Sequence, residues 1–282
     1  MMHFEPTDSN DYRFPFAVIS VSEIPAGFTT PEIAGEILTG LFLPRDRATW
    51  FGAPMPPRVL FLTAASLTIL SHRDSRLAPL DIRLNAVCAI ENGHSLLIGW
   101  IRLFHREASE TLSYNTRSWR IVDRFMSSLR KALFRPAGVP VTPQAQFGPV
   151  LNMKFENALA MELDPGECVA ASIFAPATEP PRRFGRVSRS SWSSGELVAI
   201  TDRRALWISE RVQGARARYG VVTRSASLAS FDGISLDERE RTMSVHLAVT
   251  DSWRIPLLEG SARAAREFAA SAFRAVMTPG AC

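Results

Sequence analysis

Glu196–Ser209 reads ELVAITDRRALWIS. Two short runs of β-branched and aliphatic residues, Leu197–Thr201 and Ala205–Ser209, flank the polar tripeptide Asp202-Arg203-Arg204. That order predicts strand, tight turn and strand. A second version stands at Val59–Ser71, VLFLTAASLTILS, with Ala64-Ala65-Ser66 in the place of the turn. The pair implies one module used twice.

Working outward, the parallel extends in both directions. Gly35-Glu36 opens ILTGLFLP, a predicted strand ending at Pro44, and Gly166-Glu167 opens CVAASIFAP, ending at Pro176. Each strand runs into a long loop rich in proline, arginine and aromatics, Pro44–Arg58 and Pro176–Gly195. Beyond the hairpins, Asn85–Gly93 aligns with Ser225–Gly233. The distance between copies grows along the chain, from 131 residues at Gly35/Gly166 through 138 at Thr63/Thr201 and 140 at Gly93/Gly233 to 146 at Asn115/Ser261. Drift in one direction is what loop insertions in a diverged duplication produce.

Thr242–Thr250 alternates, with Met243, Val245, Leu247 and Val249 on one face and Ser244, His246, Ala248 and Thr250 on the other. A turn at Asp251-Ser252 leads into Trp253–Leu257, where Trp253, Ile255 and Leu257 share a face. The corresponding pair in the first copy is Trp100–His105 and Thr111–Tyr114, joined by Arg106–Glu110. Each copy closes in an amphipathic helix. In Asn115–Leu133 the stripe is Trp119, Val122, Met126, Leu129 and Leu133, with Asn115 as N-cap. In Ser261–Met277 it is Ala265, Phe268, Ala269, Ala272, Phe273 and Val276. Phe14–Val21 predicts an extra strand or packing arm, and Val150–Leu163 a short helix. Arg135–Pro149 carries four prolines and two glycines and reads as a linker. The expected domains are therefore 1–134, with an N-terminal extension, and 150–282, joined by the linker 135–149.

Composition bounds the rest. Hydrophobic content of 46% and charged content of 21% describe a folded globular chain. The opening MMHFEPTDSNDYRF lacks a basic patch followed by an apolar run, so no signal peptide is expected. No apolar run approaches transmembrane length. Cys88, Cys168 and Cys282 show no CxxC spacing, which fits a reduced cytoplasmic setting with Cys88 and Cys168 as small core residues. The net charge of +4 divides evenly between the halves, which argues against nucleic-acid binding. Of the 32 basic residues only Lys131 and Lys154 are lysine.

Short antiparallel strands followed by one closing helix resemble the pleckstrin-homology (PH) superfold. The second copy is similar to the bacterial PH-like family in its hairpin Glu196–Ser209, its strands Thr242–Leu257 and its helix Ser261–Met277, in that order. The resemblance reaches the first copy, Gly35–Leu133, through the internal match. It implies an α+β, mainly β chain of two tandem, partly open antiparallel barrels or sandwiches, each capped by its C-terminal helix.

Catalytic signals are few. His105, Glu107 and Glu110 spell HxExxE, but at a predicted strand end and turn, without the i,i+4 histidine pair of a helical metal site. Ser128 and Lys131 form SxxK on a helix surface with no companion motif. His72, His94 and His246 stand alone. The expectation is a non-enzymatic binding or scaffolding protein with no cofactor and no metal. The candidate contact residues lie in the two long first loops: Arg182, Arg183, Phe184, Arg186, Arg189 and Trp192 in the second copy, and Arg45, Arg47, Trp50, Phe51 and Arg58 in the first. Arginine forks onto carboxylate or phosphate, and exposed aromatics clasp a partner. The expected partner is a protein or peptide, or an anionic lipid surface that would hold the protein peripherally, with self-association through an edge strand also open. The rival reading is a small-ligand carrier or enzyme with a site between the copies, drawing on His94, His105 or Asp251.

Overall fold

A computed structural model describes residues 14–25, 28, 33, 35–45, 56–71, 79–95, 98–105, 108–134, 145–147, 149–177, 195–210, 220–248, 250–257 and 261–277. The chain is α+β and mainly β, with three sheets and three α-helices among those residues. The strands of its first half are β1 (Phe16–Ala17), β2 (Thr39–Leu43), β3 (Arg58–Leu62), β4 (Ser66–Ser71), β5 (Leu80–Arg83), β6 (Val87–Ser95), β7 (Ile98–His105) and β8 (Ala108–Asn115), followed by helix α1 (Trp119–Leu133). Then come β9 (Ala145–Phe147), α2 (Met153–Glu162), β10 (Val169–Ala175), β11 (Glu196–Thr201), β12 (Arg204–Glu210), β13 (Val221–Ser227), β14 (Phe231–Asp237), β15 (Thr242–Leu247), β16 (Thr250–Pro256) and α3 (Ala262–Met277). Two compact units result, one of Met1–Val87 with Leu96–Leu133, the other of Cys88–Ser95 with Phe134–Cys282.

The first unit holds an antiparallel sheet in the order β1-β2-β3-β4-β5 and the hairpin β7-β8. Its central strands are buried on both faces, which is why β3 reads as an unbroken apolar run rather than an alternating one. One face presents Phe42, Val59, Phe61 and Leu70, covered by the N-terminal arm through Phe16, Val18, Ile24 and Phe28. Phe16 and Phe42 lie 4.7 Å apart between ring centroids. The arm crosses close above β2, where the Val18 amide donates to the Gly40 carbonyl at 3.0 Å. A Cβ at Gly40 would collide with the Val18 and Leu60 carbonyl oxygens. The other face presents Leu41, Leu43, Leu60, Leu62, Leu67 and Ile69, all buried. Helix α1, which touches β1 and β2, turns Val122, Phe125, Met126 and Leu129 inward.

Trp119, expected at the head of that stripe, is instead 44% exposed. Helical side chains lean toward the N-terminus, so at the first residue of α1 the ring projects past the helix end. Asn115 does cap, accepting from the Arg117 amide at 2.9 Å, but it caps a 3₁₀ turn, Thr116–Ser118, that precedes α1.

In the second unit the main sheet runs β6-β13-β12-β11-β10-β9. Its pairs are antiparallel except β9 with β10, which is parallel. Strand β9 falls inside the proline-rich stretch read as a linker, and β6 inside the stretch read as the first copy. Strands β10 and β11 are buried at every residue. One face carries Phe174, Leu197, Ala199, Leu206 and Ile208 against Phe155 and Leu159 of α2, the helix expected within Val150–Leu163. Asn152 caps α2, accepting from the Phe155 amide at 3.1 Å. Helix α3 touches β9, β10, β11 and β14. Its Ala265, Phe268 and Ala272 are fully buried. Phe273 is 54% exposed, not part of the stripe, because it follows Ala272 by about 100° around the helix. The remaining sheet, β14-β15-β16, buries Met243, Val245, Leu247, Trp253 and Ile255 on one face, in the alternation the sequence shows.

Two further expectations change. The turn of the β11-β12 hairpin is Asp202-Arg203 alone, since Arg204 is the first residue of β12 and is fully buried. Cys168 is exposed, not core: it precedes β10, and its backbone amide donates to Asp202 Oδ1 at 3.0 Å.

Candidate functional site

The antiparallel order β10-β11-β12-β13 places the end of β10, the start of β11, the end of β12 and the start of β13 at one end of the sheet. Two connections leave from there, residues 178–194 and 211–219. Arg182, Arg183, Phe184, Arg186, Arg189 and Trp192 belong to the first and lie outside the described residues, as do Arg47, Trp50 and Phe51 in the first unit. Arg45 is exposed just beyond β2, and Arg58 is half-buried at the start of β3, opposite Leu43 and Ser71.

What the structure describes at this end of the second unit is the frame that roots the connections. The Glu210 amide donates to the Gly195 carbonyl at 3.0 Å, and the Gly195 amide donates to Glu210 Oε2 at 3.4 Å. Lys154 of α2 holds the same carboxylate at 2.8 Å. A Cβ at Gly195 would meet the Phe155 ring at 2.9 Å, so only glycine lets the strand start so close to α2. The second connection, RVQGARARY, adds Arg211, Arg216 and Arg218 to the four arginines of the first. The sequence repeat alone did not single it out. Strand direction is what joins it to the first.

At the opposite end of the hairpin lies a buried ion pair. Arg204 Nη2 and Nε donate to the two carboxylate oxygens of Glu167 at 2.8 and 2.9 Å, and both side chains are fully excluded from solvent. Nη1 donates to Ser225 Oγ at 3.3 Å, Nη2 also donates to the Glu162 carbonyl, and the guanidinium lies over the Phe134 ring. Thr201 donates to Glu167 Oε1 at 2.8 Å and the Asp164 amide to Oε2 at 2.9 Å. Burial pushes the Glu167 carboxyl upward, but hydrogen bonds and charge from Arg204, with the Asp164 amide and Thr201 hydroxyl, hold it below the ordinary glutamate range. The cluster satisfies itself and offers no face to a ligand, so it is a fastening for the hairpin.

Two more groupings come from register rather than motif. Across β11, β12, β13 and β6, Val198, Trp207, Arg224 and Glu91 stand side by side. Arg224 donates to Glu91 at 2.6 Å and lies 4.8 Å from the Trp207 ring centroid; Trp207 in turn stacks on Trp253 at 6.2 Å. On the outward face of β14-β15-β16, His246, expected to be isolated, bridges Ser235 Oγ at 2.7 Å through Nε2 and Ser252 Oγ at 2.9 Å through Nδ1. Both ring nitrogens are thereby occupied by hydroxyls.

Of the HxExxE residues, His105 ends β7, Glu110 sits on β8 opposite Leu103, and Glu107 is outside the described residues. Strand pairing already resumes at Ala108, so the β7-β8 connection is shorter than Arg106–Glu110. Ser128 of the SxxK pair donates to the Arg124 carbonyl one turn back, as a solvent-side helix serine does. His94 is exposed on β6. Among the described residues no group of three or more His, Cys, Asp or Glu side chains is placed to hold a metal ion, and no helix is long and apolar enough to cross a membrane. Comparison with protein-family models, with curated proteins and with solved structures finds no match to this chain.

Proposed function

We propose that the chain is a non-enzymatic binding and scaffolding protein built from two tandem PH-like repeats, whose second copy grips an acidic protein or peptide with the connections 178–194 and 211–219. The repeat reading is supported by register. Phe42, Val59 and Leu70 stand side by side on β2, β3 and β4, and Phe174, Leu197 and Ile208 do so on β10, β11 and β12. The one residue by which Gly35/Gly166 and Phe42/Phe174 differ in spacing falls at the irregularity between Val169 and Ala171. Gly35 and Gly166 both adopt positive φ, 98° and 77°. Thr63 accepts from the Ala65 and Ser66 amides, as Thr201 does from those of Arg203 and Arg204.

The matched register revises two of the spacings read from sequence. The 3₁₀ turns Leu84–Ala86 and Leu228–Ser230 pair at 144 residues, not 140, and the buried positions of α1 and α3 pair at 143, not 146. The separation therefore rises and then levels, with the changes in the connections.

The observation that carries the function is the convergence of both arginine-bearing connections on one sheet end. Between them they hold seven arginines against one acid, Glu179. Such a density favours carboxylate-bearing partners through forked, charge-assisted hydrogen bonds. The test is fluorescence anisotropy of a labelled oligoglutamate peptide with the full chain and with an R182A/R183A/R186A variant. Salt-sensitive binding lost in the variant is expected. Equal affinity of the two proteins, or none in either, overturns the assignment.

A further inference from the structure

We infer that the outward face of α1 is a docking surface for an anionic phospholipid membrane, distinct from the loop end of the second unit. Arg120, Arg124 and Lys131 are exposed and, at spacings of four and seven, line one side of α1 over about 16 Å. Arg117 precedes them in the 3₁₀ turn and is exposed too. The single acid on α1, Asp123, lies 3.8 Å from the buried Arg130. Among the described residues no carboxylate pairs with Arg120, Arg124 or Lys131. Helix α3, at the equivalent place in its repeat, provides the contrast. Its outward Arg263 is held by Glu267 at 2.8 Å, and Arg266 by Glu238 at 3.0 Å. Two outward arginines of α3 thus have carboxylate partners, while among the described residues the three cations of the α1 stripe have none.

Trp119 says which anionic surface fits. It is the one tryptophan among the described residues that counts as exposed, and it sits at the head of the basic stripe with the Arg120 guanidinium 5.9 Å from its ring centroid. A ring with an apolar body and a polar N–H gains at the headgroup level of a bilayer, while neighbouring guanidiniums reach lipid phosphates. A duplex groove would use the cations without needing the ring. The even charge division between the two halves of the chain, noted above, also fits a local lipid-facing stripe better than a nucleic-acid surface.

This inference rests on the reading of the chain as a binding protein, yet it uses different residues, so the two can fail separately. The experiment is flotation of the full chain with phosphatidylglycerol-containing vesicles and with pure phosphatidylcholine vesicles. It compares wild type, R120Q/R124Q/K131Q and R182A/R183A/R186A. Wild type should float only with the anionic vesicles. Removing three surface cations should weaken partitioning by about 100-fold, from a contribution of about 1 kcal/mol each. The loop variant should float as wild type does, and unchanged melting of the α1 variant establishes that it is folded. Three results overturn the inference: no flotation of wild type, undiminished flotation of the α1 variant, or displacement of the protein from vesicles by an equal phosphate concentration of duplex DNA. Loss of flotation confined to the loop variant assigns the membrane contact to the loops. Neither result touches the oligoglutamate measurement.

Discussion

Replacing Arg204 by methionine removes the guanidinium from a site with no solvent access while leaving a side chain of similar reach. Glu167 then keeps only the Thr201 hydroxyl at 2.8 Å and the Asp164 amide at 2.9 Å, with no cation to offset its charge. Breaking a buried pair from one side costs about 3–5 kcal/mol, because the stranded charge must stay desolvated or take up a proton. With a urea slope of about 2 kcal/mol per molar, the unfolding midpoint of the second unit should fall by roughly 1.5–2.5 M. Near-ultraviolet circular dichroism is the assay, since the stacked Trp207 and Trp253 belong to that unit and report on its packing. The double variant R204M/E167L removes both charges, and apolar replacement of a whole buried pair is often neutral or stabilising. It should recover most of the loss. A midpoint shift under about 0.5 M for R204M, or a double variant no more stable than the single, would refute the fastening role.

The same carboxylate sets an acid limit. Its folded-state pKa is depressed, so the stability it contributes is fully present above the unfolded value and lost as pH falls through the folded one, a window that opens below about pH 4.3. Urea midpoints should therefore drop on acidification in wild type and drop less in R204M/E167L; parallel curves would count against it. On the closing helices, Phe268→Ala should cost about 3–5 kcal/mol, a fully buried ring lost to a cavity. Trp119→Ala, at an exposed position, should stay within about 0.5 kcal/mol in a urea titration followed by far-ultraviolet circular dichroism, which reads both units. Comparable losses at both would restore Trp119 to the core.

Strand periodicity was legible where one face meets water. β15 alternates buried and half-buried residues along its length, and its inward Met243, Val245 and Leu247 can be named from sequence. Helix existence was equally plain, because both stripes recur at three and four. Errors fell at helix ends and flanks, at Trp119 and Phe273, where a ring of the right spacing lacks a neighbour to cover it. The arginine-bearing connections are a different case. Their arginines can be counted in the sequence, and only the strand order reveals that 178–194 and 211–219 leave the same sheet end.

Arg204 shows most clearly why the polar part of the fold escaped a linear reading. In sequence it follows Asp202-Arg203 and looks like turn surface, since arginine is seldom fully buried unless paired. The partner, Glu167, lies 37 residues earlier, next to a glycine that looks like mere punctuation. Two local facts conspire to bury it. Thr201 folds the turn by accepting from the amides of both Arg203 and Arg204, which makes Arg204 the first strand residue. Strand alternation then puts its side chain on the face with Leu206 and Ile208, which α2 covers. In the β3-β4 hairpin Ser66 occupies the corresponding turn position, and Thr63 bonds its amide in the same way. The turn geometry is thus independent of the ion pair. A serine satisfies it as well, so the Arg204–Glu167 pair serves the fastening of Glu162–Glu167 to the hairpin rather than the making of the hairpin itself.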